Sequence, residues 1–106
     1  MARSKDEVIE DVRNVILRLR ESHDIRAAYV FGSYAKGTPT EYSDVDIAVV
    51  VGSVRNGSPF DERFEIFHEI QQHDSLYEAV CFVEDEFTAE RESVIRYIKR
   101  DGIRIL

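Results

Sequence analysis

The sequence predicts a small α/β (α+β) domain, helices packed against one small mixed β-sheet. Three observations carry that expectation. Amphipathic segments of helical period alternate with short apolar, β-branched runs. Those runs, "IRAAYVF", "SDVDIAVVV" and "YEAVCFV", have strand length and are bounded by turn residues. The 106 residues are enough for the core of one domain, spanning 1–106, without room for a second.

Each element has a local reason. Over residues 5–22, Val8, Ile9, Val12, Val15, Ile16 and Leu19 recur at helical spacing opposite Glu7, Glu10, Asp11, Arg18 and Glu21. "IRAAYVF" is a buried strand stopped by Gly32, and "SYAKG" is a short turn or helix start. Pro39 breaks the chain before the second strand, and "GSVRNGS" is a loop by composition. Ser58 and Pro59 suit the cap and first turn of a helix running to about His73, with Phe60, Phe64, Phe67 and Ile70 on one face. "YEAVCFV" is the third strand. "EDEFTAERESVIRYIKRDG" reads as one final helix, with Phe87, Arg91, Val94, Ile95 and Ile98 on one side and Gly102 as its C-terminal cap. "IRIL" adds a short edge strand.

Composition narrows the function. A formal charge of −7 argues against binding duplex nucleic acid, which needs a basic face to displace counterions. It suits a basic protein partner, or a nucleotide whose charge a cation offsets. No apolar run approaches the roughly 20 residues that span a bilayer. The charged N-terminus lacks a signal-peptide core, so the expected location is cytoplasmic, with no membrane association. The one cysteine, Cys81, lies in "AVCFV" and reads as a buried small hydrophobe. His68 and His73 are five apart, off the helical register for a shared ligand, and read as surface or helix-end residues.

The chemistry concentrates in "FGSYAKGTPTEYSDVDIAVV". A Walker phosphate loop needs Gly-Lys after its spacer, but Thr38 follows Gly37, and Lys36 precedes that glycine. Lys36 is read mainly as a surface residue. A calcium loop starting at Asp44 fails too, with Val49 at its glycine position and Arg55 at its glutamate position. What remains is coherent. Asp44 and Asp46 are two apart on a strand and share a face. Held that close they repel unless a proton or cation neutralises them, and their oxygens favour Mg²⁺ together with a substrate phosphate. Gly32 lets a phosphate approach the backbone, and Ser33 offers a hydroxyl and an amide. Solvated turn chemistry is the plain alternative for an Asp-x-Asp. Tyr34 and Tyr42 flank the motif and suit either base stacking or packing.

Gly32-Ser33, ten residues, then Asp44-Val45-Asp46 resembles the nucleotidyltransferase superfamily typified by DNA polymerase beta. Ala35, Gly37 and Ser43 also look like that family, and the likeness runs from Ile25 to Val51. The resemblance implies a polymerase-beta-like palm and transfer of AMP from ATP to a hydroxyl at a two-metal Mg²⁺ site. It makes Asp44 and Asp46 metal ligands, gives Gly32 and Ser33 to the nucleotide phosphates, and puts a third carboxylate on a neighbouring strand. Glu78 takes that place as metal ligand and catalytic residue, one methylene longer than the family's aspartate. Otherwise Glu78 is an ordinary exposed residue at a strand start.

In length and organisation the chain is similar to the minimal nucleotidyltransferases that act as antitoxins to helical HEPN-family ribonuclease toxins by adenylylating a tyrosine. That likeness implies ATP and a HEPN-type protein as partners. Homo-oligomer formation is left open. Two other functions stay in play: a nucleotidyltransferase for a small molecule such as an antibiotic, and a catalytically inactive module that blocks its partner. Strand parity adds one expectation. Asp46, Ala48 and Val50 share a face, as do Glu78, Val80 and Phe82. If the helices cover the opposite face, the apolar surface beyond the carboxylates needs a cover, from a partner or from the last helix.

Overall fold

The computed structural model describes residues 4–37, 44–53 and 58–106. Pro39, Tyr42 and Ser43, and the middle of the "GSVRNGS" loop, lie outside the described residues. Helix α1 (Lys5–Leu19) starts where the Ser4 hydroxyl accepts the Glu7 N–H at 3.2 Å. It stops three residues short of the predicted end, in tight turns that run into Ile25.

Four strands form one sheet in the order β3-β2-β1-β4. They are β1 (Ile25–Phe31), β2 (Val45–Val51), β3 (Tyr77–Val83) and β4 (Ile103–Arg104). β1 pairs antiparallel with β2 and β4, whereas β2 and β3 run parallel. Parallel neighbours need a crossover, and α3 (Pro59–His73) supplies it. The remaining helices are α2 (Ser33–Lys36), α4 (Glu84–Thr88) and α5 (Ser93–Asp101). The mixed sheet, the predicted strands and the edge strand are all present. No helix among the described residues is long and apolar enough to cross a membrane.

The sheet is covered on both faces. Val8, Val12, Ile16, Ile66 and Ile70 from α1 and α3 pack on Val45, Ile47, Val49 and Val51. Phe87, Ile95 and Ile98 from α4 and α5 pack on Ala27, Ala48, Val50 and Phe82. The chain thus supplies its own cover for the face beyond the carboxylates. Val80 is left 43% exposed there.

Two local expectations need correction. The "EDEF…KRDG" segment is two helices. α4 ends in a Schellman motif, with Arg91 N–H bonded to Glu86 O, Glu90 N–H to Phe87 O, and Glu90 in the left-handed region at φ 52°. The break lets Phe87 and the Ile95–Ile98 pair turn onto the same sheet face. Gly102 caps α5 as expected, in an extended conformation, and its glycine is required because a Cβ would lie 2.4 Å from Ile98 O.

The second correction concerns α3. It buries Glu62, Ile66 and Ile70, and leaves Phe60, Phe64 and Phe67 at 76%, 60% and 38% exposure. The aromatic stripe lies roughly a third of a turn round the helix from the buried one. Glu62 can enter the core because His23 Nδ1 meets its Oε1 at 2.9 Å, both residues being fully buried. The start of α3 is as expected, with Ser58 and Asp61 forming a reciprocal capping box around Pro59.

The two faces of α3 give a test by chemical denaturation. Ile66→Ala should lower stability by about 3 kcal/mol, as a buried aliphatic truncation does. Phe60→Ala should change it by less than about 0.5 kcal/mol.

Candidate active site

β2 carries an apolar side chain at every position except its second, Asp46. Asp46 is half-buried because it sits between two neighbours: Phe31 of β1 on one side and Glu78 of β3 on the other, each its register partner. Register partners present their side chains on the same face, so the Asp46 and Glu78 carboxylates stand side by side. Asp44 sits one residue before β2, which begins at Val45, and is exposed. It stands at the strand mouth, close enough for its charge to act on Asp46.

Gly32 closes the site from above. It follows β1 at φ 77° and ψ −149°, a conformation that L side chains rarely adopt. A Cβ there would lie 2.2 Å from Asp46 Oδ2. The Asp46 carboxylate thus fills the space that any larger residue would occupy, and the Gly-Ser turn rests directly on it. Ser33 opens α2, which closes at Gly37 in the left-handed region at φ 77°.

The electrostatics follow from this crowding. Burial lifts the Asp46 carboxyl above its ordinary 3.8, and the charges of Glu78 and then Asp44 lift it further. Negative charge is in excess at one point, which an oxygen-favouring cation would relieve. Hard carboxylate donors beside the glycine turn fit Mg²⁺ with a phosphate. Asp44, Asp46 and Glu78 are the residues that would hold it. Among the described residues no three potential ligands are gathered into a ready-made metal cluster.

Other residues sort clearly. Tyr34 is buried in the α1–α3 core, so packing accounts for it, while Tyr42 is outside the described residues. Lys36 is exposed, with its Nζ 5.1 Å from the centre of the Tyr97 ring. Tyr97 in turn meets Phe31 edge-on at 6.4 Å. Phe31 and Tyr97 thus wall the β1 side of the site, which the sequence reading missed. Antiparallel pairing of β1 with β2 would have found Phe31, but nothing local marks Tyr97. Burial pushes the Cys81 thiol up to about 12, in keeping with an inert side chain. His68 is exposed and stacks on Phe64. His73, at the end of α3, bonds Asp11 and Arg18 of α1.

Comparison with known proteins agrees with the fold. The family model "Polymerase beta, Nucleotidyltransferase" matches residues 13–106. No curated protein sequence matches the chain. The fold is similar to that of a candidate nucleotidyltransferase from Sulfolobus solfataricus, with TM-score 0.66 and 19% identity over 94% of this chain and 80% of that one. It is also similar to a chain of a toxin–antitoxin complex crystallised with AMP-PNP, with TM-score 0.61 and 22% identity over 89% and 72% of the two chains. A third likeness is to a chain in the complex of a tri-AMPylated Shewanella oneidensis HEPN toxin with its MNT antitoxin. Here the TM-score is 0.58, with 18% identity over 92% and 71%.

Two outcomes test the site. Because the folded carboxyl of Asp46 titrates above its unfolded value, its ionised form opposes folding at every pH above the folded value. Asp46→Asn should therefore raise the melting temperature at pH 7, and the gain should vanish as pH falls below 3.8. Gly32→Ala should cost about 2 kcal/mol in a urea titration, from backbone strain and the displaced carboxylate.

Proposed function

Because the chain belongs to the polymerase beta nucleotidyltransferase family, we propose that it transfers AMP from ATP to a tyrosine hydroxyl of a HEPN-family ribonuclease toxin. It thereby acts as that toxin's antitoxin, in the cytoplasm. The observation that carries the reading is the register pair Asp46–Glu78, with the Asp46 carboxylate lodged against Gly32. The likeness to solved complexes containing AMP-PNP and a tri-AMPylated HEPN toxin supports the choice of nucleotide and partner.

In this mechanism the Gly32–Ser33 turn holds the β- and γ-phosphates with backbone and hydroxyl donors. The acceptor oxygen attacks the α-phosphorus, the bond from that phosphorus to the β-phosphate oxygen breaks, and pyrophosphate leaves. Glu78 takes the proton of the acceptor hydroxyl. Asp44 and Asp46 would hold Mg²⁺, which when bound would supply the positive charge that offsets the triphosphate. The remaining contribution is positioning of the reacting atoms.

A second reading is a silent module that blocks the toxin sterically. It is favoured by one observation, that Asp44 and Glu78 are exposed and no three ligands are clustered among the described residues. Incubation with radiolabelled ATP, MgCl₂ and the HEPN partner separates the two. Label on the partner tyrosine, lost by at least about 100-fold in Asp44→Asn or Asp46→Asn, is the expected outcome for an electrostatic site. Toxin inhibition without label would establish the silent module. Label on a small-molecule acceptor alone would overturn both.

A further inference from the structure

The three phenylalanines of α3 have no role in the chemistry above. Phe60, Phe64 and Phe67 stand at i, i+4 and i+7, 76%, 60% and 38% exposed, in the spacing of helix-groove anchors. They form one wall of a groove of about 300 Å³, completed by Arg63 and by Ala79 and Cys81 of β3. The other wall is a sheet edge, since β3 is the outermost strand. An exposed aromatic ridge beside an open strand edge is a contact surface looking for a cover.

Charge selects the cover. Asp61 and Glu65 each follow a phenylalanine by one residue, and Glu69 continues their row; all three are exposed. Glu65 and Glu69 repel each other as like charges at i, i+4. Exposed Glu84 and Asp85 open α4, where β3 ends. Among the described residues the one cation lining the groove, Arg63, is engaged by Glu86 at 3.2 Å. The α3 bank is therefore acidic beside an apolar floor. A second copy of this chain, itself at −7, would bring like charge against like.

We infer that the Phe60–Phe64–Phe67 stripe and the edge of β3 dock an amphipathic helix of the acceptor protein, apolar along one face and rich in lysine or arginine on its flanks. That the docked protein is the acceptor rests on the transferase reading; the docking itself does not. The position suits both. The groove ends at Phe67 and Ala79, and Ala79 is one residue from Glu78 on the same strand. A protein held there touches β3 from the face opposite the carboxylates, one residue from Glu78.

The test uses the whole chain without nucleotide. Two fluorescein-labelled 18-residue helical peptides share leucines at i, i+4, i+7 and i+11 and differ only in lysine or glutamate flanks. Anisotropy titration should show saturable binding of the lysine peptide, at least tenfold tighter than that of the glutamate peptide. Phe64→Glu and Phe60→Ser should each weaken it at least tenfold, with far-UV circular dichroism unchanged. Glu65→Lys combined with Glu69→Lys should narrow the gap between the peptides. Absence of saturable binding up to 100-fold excess peptide, or binding unaffected by Phe64→Glu, would overturn the assignment. So would sedimentation showing a dimer that Phe64→Glu dissociates, since the occupant would then be a second copy. A melting shift with MgCl₂ and ATP, run in parallel, reports on the transferase site alone.

Discussion

The structure depends on the burial of β2 on both faces. Val45, Ile47, Val49 and Val51 anchor α1 and α3, while Ala48 and Val50 anchor α4 and α5. A strand so placed has no solvated face on which to put a charge, and its neighbours on either side are strands. Asp46 is therefore held part-way into the protein, where desolvation and two nearby carboxylates disfavour its ionised form. Stability alone would place an apolar residue there. The retained carboxylate marks where the fold carries an electrostatic strain that a cation can discharge, as functional sites commonly do.

That strain is held in place by backbone. A side chain at residue 32 would clash with Asp46, and the positive φ of Gly32 sets the direction in which Ser33 and α2 leave the sheet. The Gly-Ser turn and the carboxylate are thus one unit, although they lie on different strands. β1 and β2 register them: Phe31, the residue before Gly32, is the partner of Asp46. The same pairing brings Phe31 against Tyr97, so α5 stabilises the face of the sheet and walls the site together.

How much of this was legible depended on whether the information was local. Gly32, Ser33, Asp44 and Asp46 lie in one contiguous stretch whose spacing is itself the signal, and the strands announced themselves by composition. The outward turn of the α3 phenylalanines was hidden, because two stripes on that helix have helical period. The choice between them rests on His23 receiving Glu62 from 39 residues away in sequence. The split of the last helix was hidden for a related reason. Its left-handed position holds Glu90, where glycine would have given the break away. Tyr97 likewise has no local mark, since its place beside Phe31 exists only after α5 folds back.

Glu78 stands between the carboxylate pair and the α3 groove. Asp46 is on a central strand and is enclosed by its neighbours, but Glu78 is on the outermost strand and is exposed. One side of the carboxylate pair is therefore built into the protein, and the other opens at the sheet edge. Side-chain alternation along β3 divides the labour further. Glu78 and Val80 face the carboxylate side, while Ala79 and Cys81 face α3 and its phenylalanines. A protein that covers the α3 groove touches the same strand from its other side. On the transferase reading, docking and chemistry then fall on the two faces of one strand.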